Sequence, residues 1–153
     1  MINRFVRRQL SVSRRFAIHL LALSCLVPAV QATVISASLS HSGFSITRKG
    51  QITRVELGRL PVDLAGKVTA LSWQIQTVAA WPQPPLIFLC HDNDCQPLAS
   101  VAGRSAGFSG KSREGRWSIT IELPGRGTLQ TPVVITQVTV TVNSRVGEVR
   151  AKR

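Results

Sequence analysis

Arg116-Trp117-Ser118-Ile119-Thr120-Ile121-Glu122-Leu123 decides the fold class. Trp117, Ile119, Ile121 and Leu123 fall on one side of an extended chain, and Arg116, Ser118, Thr120 and Glu122 on the other. That period of two marks a strand with one face in a core and the other toward water. A helix would scatter the same apolar residues around its circumference. Working outward, Leu71-Ser72-Trp73-Gln74-Ile75-Gln76 and Val138-Thr139-Val140-Thr141-Val142-Asn143 repeat the alternation. Val133-Val134-Ile135 is apolar throughout, which predicts a doubly covered segment or a bulge. Weaker strands are predicted at Val34–Leu39, Phe44–Arg48 and Ile52–Leu57. Turn chemistry separates these runs at Lys49-Gly50, Pro82-Gln83-Pro84-Pro85, Ser109-Gly110 and Pro124-Gly125-Arg126-Gly127. The pattern predicts an all-β chain, a small antiparallel β-sandwich or partly open barrel forming one domain over 33–143. Trp73, Trp117, Phe88 and Phe108 are the expected aromatic core, with Trp81, beside the prolines, only partly covered.

The 153 residues carry 19 Lys+Arg against 7 Asp+Glu, a net charge of +12. A balance that basic raises nucleic acid as a partner, but the position of the charge argues otherwise. Arg4, Arg7, Arg8, Arg14 and Arg15 lie in an acid-free opening, followed by an apolar run from Ala17 to Val27 and a small-residue exit, Pro28-Ala29-Val30-Gln31-Ala32. Basic end, apolar run and small-residue exit predict a cleaved secretory signal peptide over 1–32, with the mature chain starting near Thr33. The run is short of the ~20 apolar residues that cross a bilayer comfortably, which disfavours an uncleaved anchor. Lipidation at Cys25 is disfavoured because Ala22 stands where Leu is usual. The expected location is therefore the periplasm. An exported chain seldom meets nucleic acid, so the remaining positive charge points to an acidic protein partner, cell-wall polymers or a weak contact with an anionic membrane surface.

Export also places the cysteines in an oxidising compartment. Removing the leader leaves Cys90 and Cys95, which flank His91-Asp92-Asn93-Asp94, residues suited to a tight turn. Apolar residues lie on either side, so a β-hairpin pinned by a disulfide is the favoured reading. The competing reading is a metal site from Cys90, His91, Asp92, Asp94 and Cys95. Adjacent ligands on so short a loop cannot readily encircle one ion, so no metal and no cofactor are expected.

The catalytic inventory is poor. His41 and His91 lie outside any nucleophile motif, and Pro124-Gly125-Arg126-Gly127 lacks the Lys-Ser/Thr of a phosphate loop. No catalytic residues are assigned, and the chain is not expected to be an enzyme. Two basic segments are candidate partner-binding surfaces: the loop carrying Arg104, Lys111, Arg113 and Arg116, and the tail over 144–153 with Arg150, Lys152 and Arg153. Trp81 is a candidate stacking surface for a carbohydrate or cell-wall ligand, and the disulfide turn a candidate plug for a hydrolase; these are the alternative functions.

Leu89-Cys90, then Cys95, Gly103-Arg104-Ser105 and Phe108-Ser109-Gly110, resemble the core of the bacterial flagellar protein FlhE family. The likeness continues through Trp117, the Glu122-Leu123-Pro124-Gly125-Arg126-Gly127 turn, Leu129, Pro132 and the closing strand, covering roughly Leu57 to Asn143. What it implies is a periplasmic, non-enzymatic accessory of the flagellum, acting on type III export and assembly. Such a protein is linked to swarming motility and to limiting proton leakage through the export gate. Its implied partner is an export-apparatus, rod or basal-body protein.

Overall fold

The computed structural model describes residues 33–61 and 66–146, and all regular structure in them is β. The eight strands are β1 (Thr33–Lys49), β2 (Ile52–Arg59), β3 (Gly66–Thr77), β4 (Leu86–His91), β5 (Asp94–Leu98), β6 (Ala102–Ser105), β7 (Arg116–Glu122) and β8 (Gly127–Val146). They form two antiparallel sheets, β1-β8-β3-β6 and β2-β7-β4-β5. Separate sheets facing one core settle the choice between sandwich and partly open barrel in favour of the sandwich. The signal-peptide reading of 1–32 lies outside the described residues.

The alternation in the sequence becomes the inner lining. Trp117, Ile119 and Ile121 of β7, with Leu123 after it, are fully buried, and face Val138, Val140 and Val142 of β8 with Leu71, Trp73 and Ile75 of β3. Burial at about 25 cal/mol per Å2 of apolar surface makes this layer the main stabilising term. Trp73 spreads its ring against Gly103, its cross-strand partner on β6, where a Cβ would meet the ring at 2.8 Å. Its indole N–H donates to the Ser100 carbonyl at 2.8 Å.

Four expectations change. The two short strands at 34–39 and 44–48 are one, because β8 pairs with β1 in a single register from Thr33↔Val146 to Ile46↔Val133. Gly43, at φ 73, lies between the two predicted segments without breaking that register. The closing strand also continues past Asn143 to Val146, and Ser144 is buried. Phe88 is not in the core: Ile87 and Leu89 take the inward positions of β4, leaving Phe88 outside, 38% exposed and paired with Pro97. The bulge read for Val133-Val134-Ile135 lies just after that segment. β3 pairs Gln76 with Gln137 but Thr77 with Ile135, so Thr136 is the extra residue. Val133 and Ile135 point inward and Val134 outward.

Candidate functional site

The hairpin forms as read. Cys90 and Cys95 are register partners in β4–β5 with Cα atoms 4.0 Å apart, and their sulfurs are bonded. Asp92 takes the left-handed conformation, φ 53, that Asp and Asn tolerate at tight turns. Bonded sulfurs cannot act as thiolate ligands. Among the described residues no three His, Cys, Asp or Glu side chains are grouped to hold an ion. Closing so short a loop stabilises by about 2 kcal/mol on the chain-entropy estimate. Converting both cysteines to serine is therefore expected to lower the urea midpoint by that equivalent without unfolding the protein, checked by tryptophan fluorescence.

The segment from Ala106 to Gly115, part of the loop read as a candidate partner-binding surface, is a clamp between the two sheets. On one side it docks on β3: the Val68 amide donates to the Lys111 carbonyl (2.9 Å), the Gly110 amide to Val68 (2.9 Å) and the Arg113 amide to Gly66 (3.0 Å). On the other it holds the disulfide turn. The Gln96 side-chain amide donates to the Gly107 carbonyl at 2.7 Å, and Lys111 pairs with Asp94. The Asp92 amide donates to the Arg116 carbonyl, and the Arg116 amide returns to the Asp92 carboxylate, each at 2.8 Å. His91 Nε2 lies 2.6 Å from the Glu114 carbonyl; a carbonyl only accepts, so Nε2 carries the proton. Beneath the clamp, the ring centroid of Trp117 lies 4.4 Å from that of His91 and 5.4 Å from that of Phe108.

This arrangement separates the basic residues that the sequence had grouped. Arg113 is buried against Gly66, with a relative exposure of 4%. Lys111 is held by Asp94 and stands 5.8 Å from the centre of the Phe108 ring. Arg104 and Arg116 are exposed, but on different sheets, β6 and β7. A single cationic loop surface is therefore absent among the described residues. Trp81 is half-buried and packs on the core, with no hydrogen-bond partner for its N–H among the described residues. Beside it, the Gln83 side chain contacts the Pro124 carbonyl, tying the proline-rich step to the β7–β8 turn. Arg150, Lys152 and Arg153 lie outside the described residues.

Residues 34–145 match the family described as "Flagellar protein FlhE". The chain belongs to the FlhE family. Flagellar protein FlhE of Escherichia coli (strain K12) is 27% identical over 115 residues, 75% of this chain and 83% of that protein. The crystal structure of FlhE superposes with a TM-score of 0.67 at 22% identity, covering 74% of this chain and 99% of the other. A crystal structure of Aeromonas sobria serine protease in complex with the chaperone ORF2 superposes with a TM-score of 0.56 at 13% identity, covering 86% of this chain and 30% of that one. At that identity the likeness concerns the sandwich alone. The FlhE match reaches back to Val34 and so includes β1. The sequence resemblance had stopped at Leu57, because the serine-rich strand carries little distinctive pattern.

One surface of this FlhE family member went unnoticed in the sequence. Ser72, Gln74 and Gln76 of β3, Gln137, Thr139 and Thr141 of β8, and Arg104 of β6 line a concavity of about 490 Å3 on the outer face of the first sheet. The signal was present as the polar half of two alternating strands. Only the pairing of Ser72 with both Thr141 and Arg104 brings those halves onto one surface.

Proposed function

We propose that this FlhE family member acts in the periplasm as a non-enzymatic accessory of the flagellum. It assists type III export and assembly, limits proton leakage through the export gate and thereby supports swarming. Membership of the family across residues 34–145 is the observation that carries the reading. The disulfide supports the compartment, since such bonds persist where the environment is oxidising. The partner is an export-apparatus, rod or basal-body protein. A rigid sandwich offers it sheet edges: β1 runs 17 residues and pairs only with β8 among the described strands, leaving one side for strand addition.

Complementation of a strain lacking the gene tests this. The full coding sequence is expected to restore swarming and to slow the fall of cytoplasmic pH after an acid shift, whereas a version lacking residues 2–32 restores neither. Swarming and pH that are untouched by the deletion would overturn the flagellar role. Full rescue by the leaderless chain would overturn the periplasmic site of action.

A further inference from the structure

Charge is divided between the two sheets. The strands of the first hold five basic residues, Arg48, Lys49, Lys67, Arg104 and Arg145, and no acid. Those of the second hold three of each sign: Arg54, Arg59 and Arg116 against Glu56, Asp94 and Glu122. The other described acids, Asp92 and Glu114, sit in the turn and clamp beside the second sheet. All the net charge of the described strands thus belongs to the sheet that carries the concavity.

Two features of that sheet point to a ligand. Lys67 and Arg145 are exposed cross-strand partners, and like charges directly opposite one another cost stability unless a counter-charge joins them. Arg104 shares a row with Ser72 and Thr141, four residues along β8 from Arg145, or roughly 13 Å at about 3.3 Å per residue. The concavity beside Arg104 is lined mostly by amides and hydroxyls, which both donate and accept. β8 is paired on both sides, with β1 and with β3, so the middle of this face cannot take a peptide by strand addition. Within the concavity Trp73, beside Gly103, is the only aromatic and Ala102 the only other apolar side chain; the exposed Val34 and Val134 of this sheet lie outside it.

We propose that the outer face of the first sheet binds the glycan strands of the cell wall. Sugar hydroxyls and acetamido groups meet the Ser/Thr/Gln lining, and carboxylates carried by the polymer meet Arg104 and the Lys67–Arg145 pair. The inference rests on the periplasmic reading above, because only there is that polymer within reach. Contacts by exposed charges and single hydrogen bonds are individually weak, so binding is salt-sensitive and gains from the repeats of a long chain.

Co-sedimentation tests it, with protein produced from the full coding sequence and purified from the cell. The probes are purified peptidoglycan sacculi, chitin as an uncharged glycan, and polyglutamate beads as an acidic peptide. Protein is expected to pellet with sacculi at low salt and to be released by salt. Arg104→Glu and the double variant Gln74→Ala/Thr139→Ala are each expected to weaken pelleting by about fivefold, and Arg126→Glu, in the β7–β8 turn, to leave it unchanged. The neutral double variant carries the test should the charge reversal not fold. No pelleting with sacculi, or equal pelleting by both site variants and wild type, would overturn the proposal. Polyglutamate retaining the protein as well as sacculi would overturn the glycan in favour of an acidic peptide, and chitin doing so would overturn the carboxylate contacts. Export is assayed separately: failure to bind sacculi by a chain that reaches the periplasm removes this inference alone.

Discussion

Trp117→Ala is expected to cost about 3–5 kcal/mol of folding stability, the range for removing a fully buried large aromatic. Trp117 has no exposed surface and is the largest fully buried side chain described. It sits where three pieces of structure meet: β7 itself, the His91 end of the disulfide hairpin, and Phe108 of the clamp. Alanine would leave a void under both rings, and neither could refill it without giving up its own fixed position. His91 is held to the Glu114 carbonyl, and the residues around Phe108 to β3. Trp117→Phe is expected to lose much less, because it keeps most of the volume and removes an indole N–H that has no partner among the described residues. Denaturant curves on the two variants decide the matter. Equal losses, or a loss below ~1 kcal/mol for alanine, would show that the ring is not the packing centre assigned to it.

Gly115→Ala is expected to spring the clamp. Gly115 has φ +129, a conformation L side chains rarely adopt, and forcing one there costs on the order of 1–3 kcal/mol. Steric conflict adds to that, since a Cβ at Gly115 would press into the His91 ring and approach the Asp92 carboxylate to 2.6 Å. Those two residues make the bonds from the hairpin turn to Glu114 and Arg116. The variant should therefore lose stability and open locally at the same time. Trypsin reads this directly: Lys111 and Arg113 are cleavable only if the backbone around them detaches from β3, and Arg113 is buried. Cleavage there is expected to quicken by at least about tenfold if opening becomes easier by 1.4 kcal/mol or more. Unchanged digestion and an unchanged melting temperature would sink the assignment of this loop as a clamp.

The residues that could be read from sequence are those whose behaviour depends on near neighbours. Trp117 to Leu123 alternate so regularly that only a strand can bury all the apolar members at once. Cys90 and Cys95 enclose a turn short enough that its own residues favour the hairpin. Phe88 was misplaced for a related reason. A run of Leu86-Ile87-Phe88-Leu89 has no alternation of its own, and size suggested that the aromatic ring should go inside. Pairing with β7 and β5 turned Ile87 and Leu89 inward instead, and the period of two then placed Phe88 outside.

The candidate binding surface was harder to find. Arg104, Lys111, Arg113 and Arg116 look like one cationic loop when counted along the chain. In space they are a strand residue on one sheet, an ion-paired lysine, a buried arginine and a strand residue on the other sheet.

By itself the sequence determined that this chain is a β-sheet protein with a disulfide-closed hairpin, because alternation and short-loop closure are local properties. It also carried enough of the FlhE pattern to be placed in a family. Only the tertiary structure decided that β1 is one long strand, since β8, far away in sequence, supplies the partner that holds it in register. Only the tertiary structure set the positive charge on one sheet and the acids on and around the other. That division depends on which strands are neighbours, and strand order is fixed by packing across the whole core, not by any segment taken alone.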